Sequence, residues 1–184
     1  MWAARTAVTL DAGDLVECGV FRGDIAWVVA TLLGDAMRGR TFYLYDSFAG
    51  FSTQHSSPDD FPHNPGFFDF ANEVDRQPGL FDLVKGRFEG KANVRIVRGF
   101  LPEALTLAMP ERICFLHIDL NSPAAELGVL KVLFDRVVRG GMIVFDDYGW
   151  RMFHRQRDAE NEFMAARNHT ILELPTGQGL VVKH

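Results

Sequence analysis

Two short apolar runs, each closed by aspartate, limit most sharply what this chain can fold into: Ile113-Cys-Phe-Leu-His-Ile-Asp119 and Gly140-Gly-Met-Ile-Val-Phe-Asp146-Asp147. Runs this rich in Ile, Val and Phe read as strands covered on both faces, as in a parallel sheet flanked by helices. Carboxylates at the carboxyl ends of adjacent buried strands lie where open α/β sheets place their ligands. Three converging carboxylates repel one another unless a cation sits between them. The plainer reading is that each Asp caps a loop or helix.

The rest of the chain keeps a strand–helix alternation. Residues 14–18 (DLVEC), 41–46 (TFYLYD), 93–97 (NVRIV), 113–118 and 142–145 read as five strands. Asp24 is placed to cap a helix with apolar positions Ile25, Val28, Val29, Leu32, Leu33 and Ala36. Ser122 as cap and Pro123 as first residue open another, with Leu127, Leu130, Phe134 and Val137 as its expected buried face and Gly140–Gly141 as its stop. A polar helix is expected near 152–167. HTILEL and GLVVK then close the chain as an antiparallel hairpin around Pro175–Gly179. The predicted fold is α/β, a mostly parallel doubly wound sheet ending in that hairpin.

One stretch breaks the alternation. Residues 47–92 carry four of the prolines and eight of the 16 phenylalanines, a connection long enough to be functional or mobile. Its cluster Phe61, Phe67, Phe68 and Phe70 reads either as a satellite core or as an apolar wall over a pocket. Leu80 to Phe88 fits a short helix with Phe81, Val84 and Phe88 on one side.

At 184 residues and 47% hydrophobic composition, one domain spanning 1–184 is expected, the insertion included. A net charge of −5 with scattered basic residues argues against nucleic acid or an anionic membrane as partner. No segment approaches the ~20 apolar residues of a membrane span. Cys18 and Cys114 sit in apolar runs and read as buried thiols of a reducing compartment, so a cytoplasmic location is expected.

Val16-Glu-Cys-Gly-Val-Phe-Arg-Gly23 supplies a strand, a glycine turn and a helix start. Gly19 and Gly23 permit a tight turn and close backbone approach to a ligand at the helix N-terminus. The spacing is E-x-G-x-x-x-G rather than the G-x-G-x-x-G of pyrophosphate binders, and suits a nucleoside with an amino-acid tail. Asp46 ends the second strand, where an acid accepts hydrogen bonds from both ribose hydroxyls. Its plainer role is to cap the loop at Ser47.

VECGVFRG, YDSFAGF and the block from FLHIDLNS to GGMIVFDDYGW together resemble the macrocin O-methyltransferase-like family. The similarity runs from Leu15 to Lys183. That resemblance implies a class I S-adenosylmethionine (SAM) methyltransferase fold, Rossmann-like, whose closing hairpin sets it apart from dehydrogenases. It implies O-methylation of a hydroxyl on a sugar or glycosylated natural product, with SAM and Mg²⁺ or another divalent cation as cofactors. Glu17, Gly19, Gly23, Asp46 and Ser47 would then hold SAM, and Asp119, Asp146 and Asp147 the metal. Asp119 is also placed to accept a proton, as is His63 if the insertion covers the site. His55, His117, His154 and Gln156 are further candidates with plainer packing or surface roles.

The chain departs from the family where DLYEST becomes Asp119-Leu-Asn-Ser-Pro, and where Arg-Gly-Gly becomes Arg22-Gly23-Asp24. It also begins almost at its first strand, so an open site, one completed by a second subunit of a homo-oligomer, or a fragment of a longer gene is expected. A small-molecule or saccharide acceptor is the expected partner. The alternatives are a methyltransferase of the same fold without metal, or a SAM-binding module without turnover.

Overall fold

Seven strands in the order β3-β2-β1-β4-β5-β7-β6 make a single sheet. The computed structural model describes Met1–His184 throughout. β1 (Asp14–Cys18), β2 (Phe42–Asp46), β3 (Val94–Arg98), β4 (Ile113–Ile118) and β5 (Val137–Phe145) run parallel. β7 (Gly179–Val182) pairs antiparallel with both β5 and β6 (Leu172–Glu173), the hairpin expected from the closing residues.

Helices cover both faces because strand residues alternate between two cores. Leu15, Leu44 and Phe115 pack toward α1 (Trp2–Ala7), α2 (Asp24–Leu33) and α4 (Leu80–Arg87). Val16, Cys18 and Leu116 pack toward α5 (Pro123–Leu133) and α6 (His154–Ala165). Cys18 and Cys114 are buried free thiols. No helix is long and apolar enough to cross a membrane.

Three local expectations are corrected. α2 buries Ala26, Val29, Ala30 and Leu33, whereas Ile25, Val28 and Leu32 are exposed. Small side chains let the helix approach the sheet, and Ile25 and Val28 wall a cavity of about 520 Å³ with Trp2 and Leu174. Asp24 is the first helical residue rather than the cap; Gly23, at φ +74°, precedes it, and Asp24 pairs with Arg87. Gly140–Gly141 do not stop α5, which ends at Leu133 and passes through a 3₁₀ turn into β5. The two glycines lie inside β5 at a register shift, with Val137 opposite Ile113 but Met142 opposite Phe115. A side chain at Gly141 would meet Val137 and the Cys114 carbonyl, so the pair serves a bulge.

The 47–92 insertion folds into a 3₁₀ turn, α3 (Gly66–Asp75) and α4. Both readings of its phenylalanines apply to different rings. Phe61 is wholly buried among Phe51, Phe67, Phe68 and Phe153, a satellite core. Phe67 and Phe70 line a cleft beside the strand ends. The buried Asn72 accepts the Phe51 N–H at 2.9 Å, tying α3 to the loop after β2.

Candidate active site

The parallel ladder runs one step past the ends of the strands. Gly99 donates to the Asp46 carbonyl, Gly19 to Tyr45, Asp119 to Cys18 and Asp146 to Ile118, all at 2.8–2.9 Å. These bonds bring residues from five strands to one edge. A cleft of about 280 Å³ opens there between Gly19, Asp46, Gly99 and Asp119 on the sheet and Phe70 and Asp75 on α3. Four of the five non-glycine residues with positive φ stand on this edge: Phe21, Phe48, Asn121 and Asp147. Such conformations cost energy and concentrate where a site over-determines them.

Asp46 binds the glycine turn directly. Its Oδ2 accepts the Val20 and Phe21 amides at 2.7 and 2.8 Å, and its Oδ1 accepts Phe48 at 2.6 Å. It therefore caps its own loop while facing the cleft. Ser47 also lines the cleft and donates to the Gly50 carbonyl at 2.8 Å. Gly19, at φ +89°, has no room for a side chain, because a Cβ would fall 1.8 Å from the Asp119 carbonyl oxygen. Its smallness is thus demanded by β4 passing against the turn. Gly23 lies behind the turn against Phe88 and does not line the cleft. Glu17 is buried beneath the edge, also outside the cleft wall, and its Oε2 has no partner. Removal from water, then the charges of Asp119, Asp46 and Asp146, holds its carboxyl well above the usual range.

Asp119, Asp146 and Asp147 converge, with one carboxylate oxygen from each lying within 4.8 Å of the others. Asp146 Oδ1 accepts from Gln178 Nε2 at 2.8 Å, and Asp119 Oδ1 from Asn121 Nδ2 at 3.3 Å. Asp147 turns the backbone at φ +49°, and Tyr148 then anchors the turn to α6 by donating to Asn161 at 2.8 Å. Burial, then the charges of Asp146 and Asp147, raises the Asp119 carboxyl well above its ordinary value. Burial, then the charge of Asp146, pushes Asp147 up to about 6. Two amide donors do not balance three acceptor-only groups. An all-oxygen set short of positive charge fits a hard divalent cation such as Mg²⁺.

The histidines stand apart from the cleft wall. His63 is exposed, with its ring 5.0 Å from that of His154. His55 bonds Glu103 at 2.7 Å. His117 is buried, and loss of hydration lowers it to about 4. Gln156 is buried on α6 and does not line the cleft. Two groups at the edge escaped the sequence reading. Asp75, pushed up to about 6 by burial and then by Asp46, lies in an insertion helix with no strand end to mark it. Gln178 sits in a hairpin turn where glutamine carries no signal.

The pattern of the macrocin-O-methyltransferase (TylF) family matches residues 3–173. Mycinamicin III 3''-O-methyltransferase of Micromonospora griseorubida is 30% identical over 143 residues. That alignment takes in 74% of this chain and 55% of the relative, so the chain spans just over half of its length. The O-methyltransferase NovP superposes with a TM-score of 0.78 at 21% identity, over 99% of this chain and 76% of that one. The calicheamicin methyltransferase CalS11 gives 0.78 at 16% identity, over 98% and 76%. The fold is that of the class I SAM methyltransferases, as expected from the strand–helix alternation, the closing hairpin and the family resemblance. With nearly its whole length matched, the chain belongs to the macrocin-O-methyltransferase (TylF) family.

Proposed function

We propose that this chain is a SAM-dependent O-methyltransferase acting on a hydroxyl of a sugar or glycosylated natural product. We further propose that Asp119, Asp146 and Asp147 hold a divalent cation, Mg²⁺ in the first instance. The observation that carries the reading is the convergence of three carboxylates beside a cleft built from a glycine turn and a strand-end acid. The relative that methylates mycinamicin III supports the acceptor class.

A sugar hydroxyl is far too weak an acid to ionise near neutral pH, so the acceptor oxygen must be polarised and relieved of its proton. When bound, SAM supplies an electrophilic methyl group and the cation supplies Lewis acidity at that oxygen. Gly19, Asp46 and Ser47 line the cleft and hold the cofactor, with Asp46 as acceptor for its ribose hydroxyls. Glu17 and Gly23 support the turn from behind. Phe67, Phe70 and Leu120 exclude water from the cleft. Asp119, which alone of the trio lines the cleft, takes the acceptor proton. His63, outside the cleft wall, is given no step.

Asp46→Ala is expected to weaken binding of S-adenosylhomocysteine (SAH) by about a hundredfold or more, through the loss of hydrogen bonds to ribose and of the three turn amides. Calorimetry beside thermal unfolding measures both effects, and unchanged affinity in a folded variant removes Asp46 from the cofactor site. The activity itself is tested by methyl transfer from SAM to mycinamicin III and to a panel of sugars and phenols, with Mg²⁺ or with EDTA. Transfer that EDTA abolishes and Mg²⁺ restores is expected. Transfer indifferent to both leaves a methyltransferase without metal, and SAH binding without any transfer leaves a binding module.

A further inference from the structure

Directly behind the Asp119 turn, between α5 and α6, three polar side chains are shut away from water: Glu126 and Glu160, each 1% exposed, and Gln156, 2% exposed. Glu126 Oε1 accepts the Leu120 N–H at 3.2 Å, the first amide after Asp119. Its Oε2, both oxygens of Glu160 and the Gln156 carbonyl oxygen meet no donor. Glu160 is nonetheless the neighbour that, after burial, does most to raise the Glu126 carboxyl. Facing carboxyls in a dry layer stay together only with a proton between them. Such a pair is costly, because hydrocarbon of the same volume packs two helices as well or better. Helix packing therefore gives no reason for its presence.

The turn it supports does give one. After Leu120 the backbone enters the left-handed region at Asn121, φ +54°. Asn121 then reaches back to Asp119 Oδ1, and Ser122 caps α5 while donating to the His55 carbonyl at 2.7 Å. The Leu120 amide is thus held from one side by α5 and α6, and the Asp119 side chain hangs from the same peptide. We propose that Glu126, backed by Glu160, is a positioning residue for the metal centre: its hydrogen bond to the Leu120 amide sets the turn that carries the Asp119 carboxylate to those of Asp146 and Asp147. Glu126 touches no ligand itself. The inference rests on the metal reading of the aspartate trio.

Titration of the protein with Mg²⁺ and with Mn²⁺, followed by calorimetry, tests it alongside SAH binding and thermal unfolding. Glu126→Gln keeps an oxygen for the Leu120 N–H and turns an amide toward Glu160, so cation affinity within about threefold of wild type is expected. A double variant, Glu126→Leu with Glu160→Met, leaves no carboxyl buried alone and is expected to fold with undiminished Tm. It leaves the Leu120 N–H unsupported, and its cation affinity is expected to fall at least about tenfold while SAH affinity stays within about twofold. A purely structural role would move Tm and leave cation affinity alone. Wild-type cation affinity in the double variant overturns the positioning role and leaves the metal reading standing, as does an equal loss in Glu126→Gln. Absence of cation binding by the wild type overturns both.

Discussion

Asp119→Asn is expected to lower methyl transfer on the order of a thousandfold, with SAH affinity within about threefold of wild type. The substitution keeps the shape of the side chain and the backbone bond to Cys18, but removes both a charge and the proposed proton acceptor. Asp146→Asn and Asp147→Asn remove a charge alone, so losses of about 10–100-fold, partly recovered by excess Mg²⁺, are expected. Asp146→Asn also sets a second amide against Gln178, whose Nε2 is now accepted at 2.8 Å. Single-turnover transfer of a labelled methyl group separates chemistry from product release, and calorimetry with SAH shows that the cleft survives. The metal-free variants are also expected to unfold at higher temperature than metal-free wild type, because one of three repelling carboxylates is gone. Three Asn variants that turn over at wild-type rates, in EDTA, sink the metal mechanism.

The sheet and its acidic edge were legible because buried parallel strands leave little freedom. Val16 and Leu116 face one core and Leu15 and Phe115 the other, and this alternation fixes where Asp119 and Asp146 emerge. α2 was harder for the opposite reason. In Asp24-Ile-Ala-Trp-Val-Val-Ala nearly every residue is apolar, so the helical period has no contrast, and close approach by Ala26 and Ala30 decides which face is covered. A glycine pair can end a helix or bend a strand, and only pairing with β4 selects the bulge at Gly140–Gly141. Asp75 and Gln178 reach the edge through tertiary packing of an insertion and a hairpin, which no local pattern encodes. Glu126 was different, since it shares a stripe with Val129, Leu130 and Leu133, and a charge on an apolar stripe is a readable signal.

Metal-free protein is expected to become more stable as pH falls from about 8 toward 6, by about 1.4 kcal/mol per pH unit for each proton the folded chain holds in excess of the unfolded one. Asp119, Glu17 and Glu126 are all held well above the ordinary carboxylate range, chiefly by burial. Asp75 and Asp147 are pushed up to about 6, and water screens these two more because they are half-buried. Raised values mean that the folded chain binds more protons than the unfolded chain. The resulting stability is complete below the unfolded carboxylate values near ~4 and is lost as pH rises through the folded ones. His117 acts in the opposite sense. Lowered to about 4, it favours the folded state above its unfolded value near 6.5 and withdraws that support as pH falls further. The carboxyl gain is therefore partly offset below about pH 6.5, so stability is expected to go on rising, less steeply, down to about pH 5. A cation at the aspartate trio competes with its protons, so the rise in Tm on adding Mg²⁺ should be larger at about pH 8 than at about pH 5.5. Scanning calorimetry at both pH values, with EDTA and with Mg²⁺, measures the four midpoints, and Asp119→Asn should flatten the metal-free slope. A metal-free midpoint highest at about pH 8, with a Mg²⁺ shift independent of pH, would mean that these carboxylates are not mutually strained.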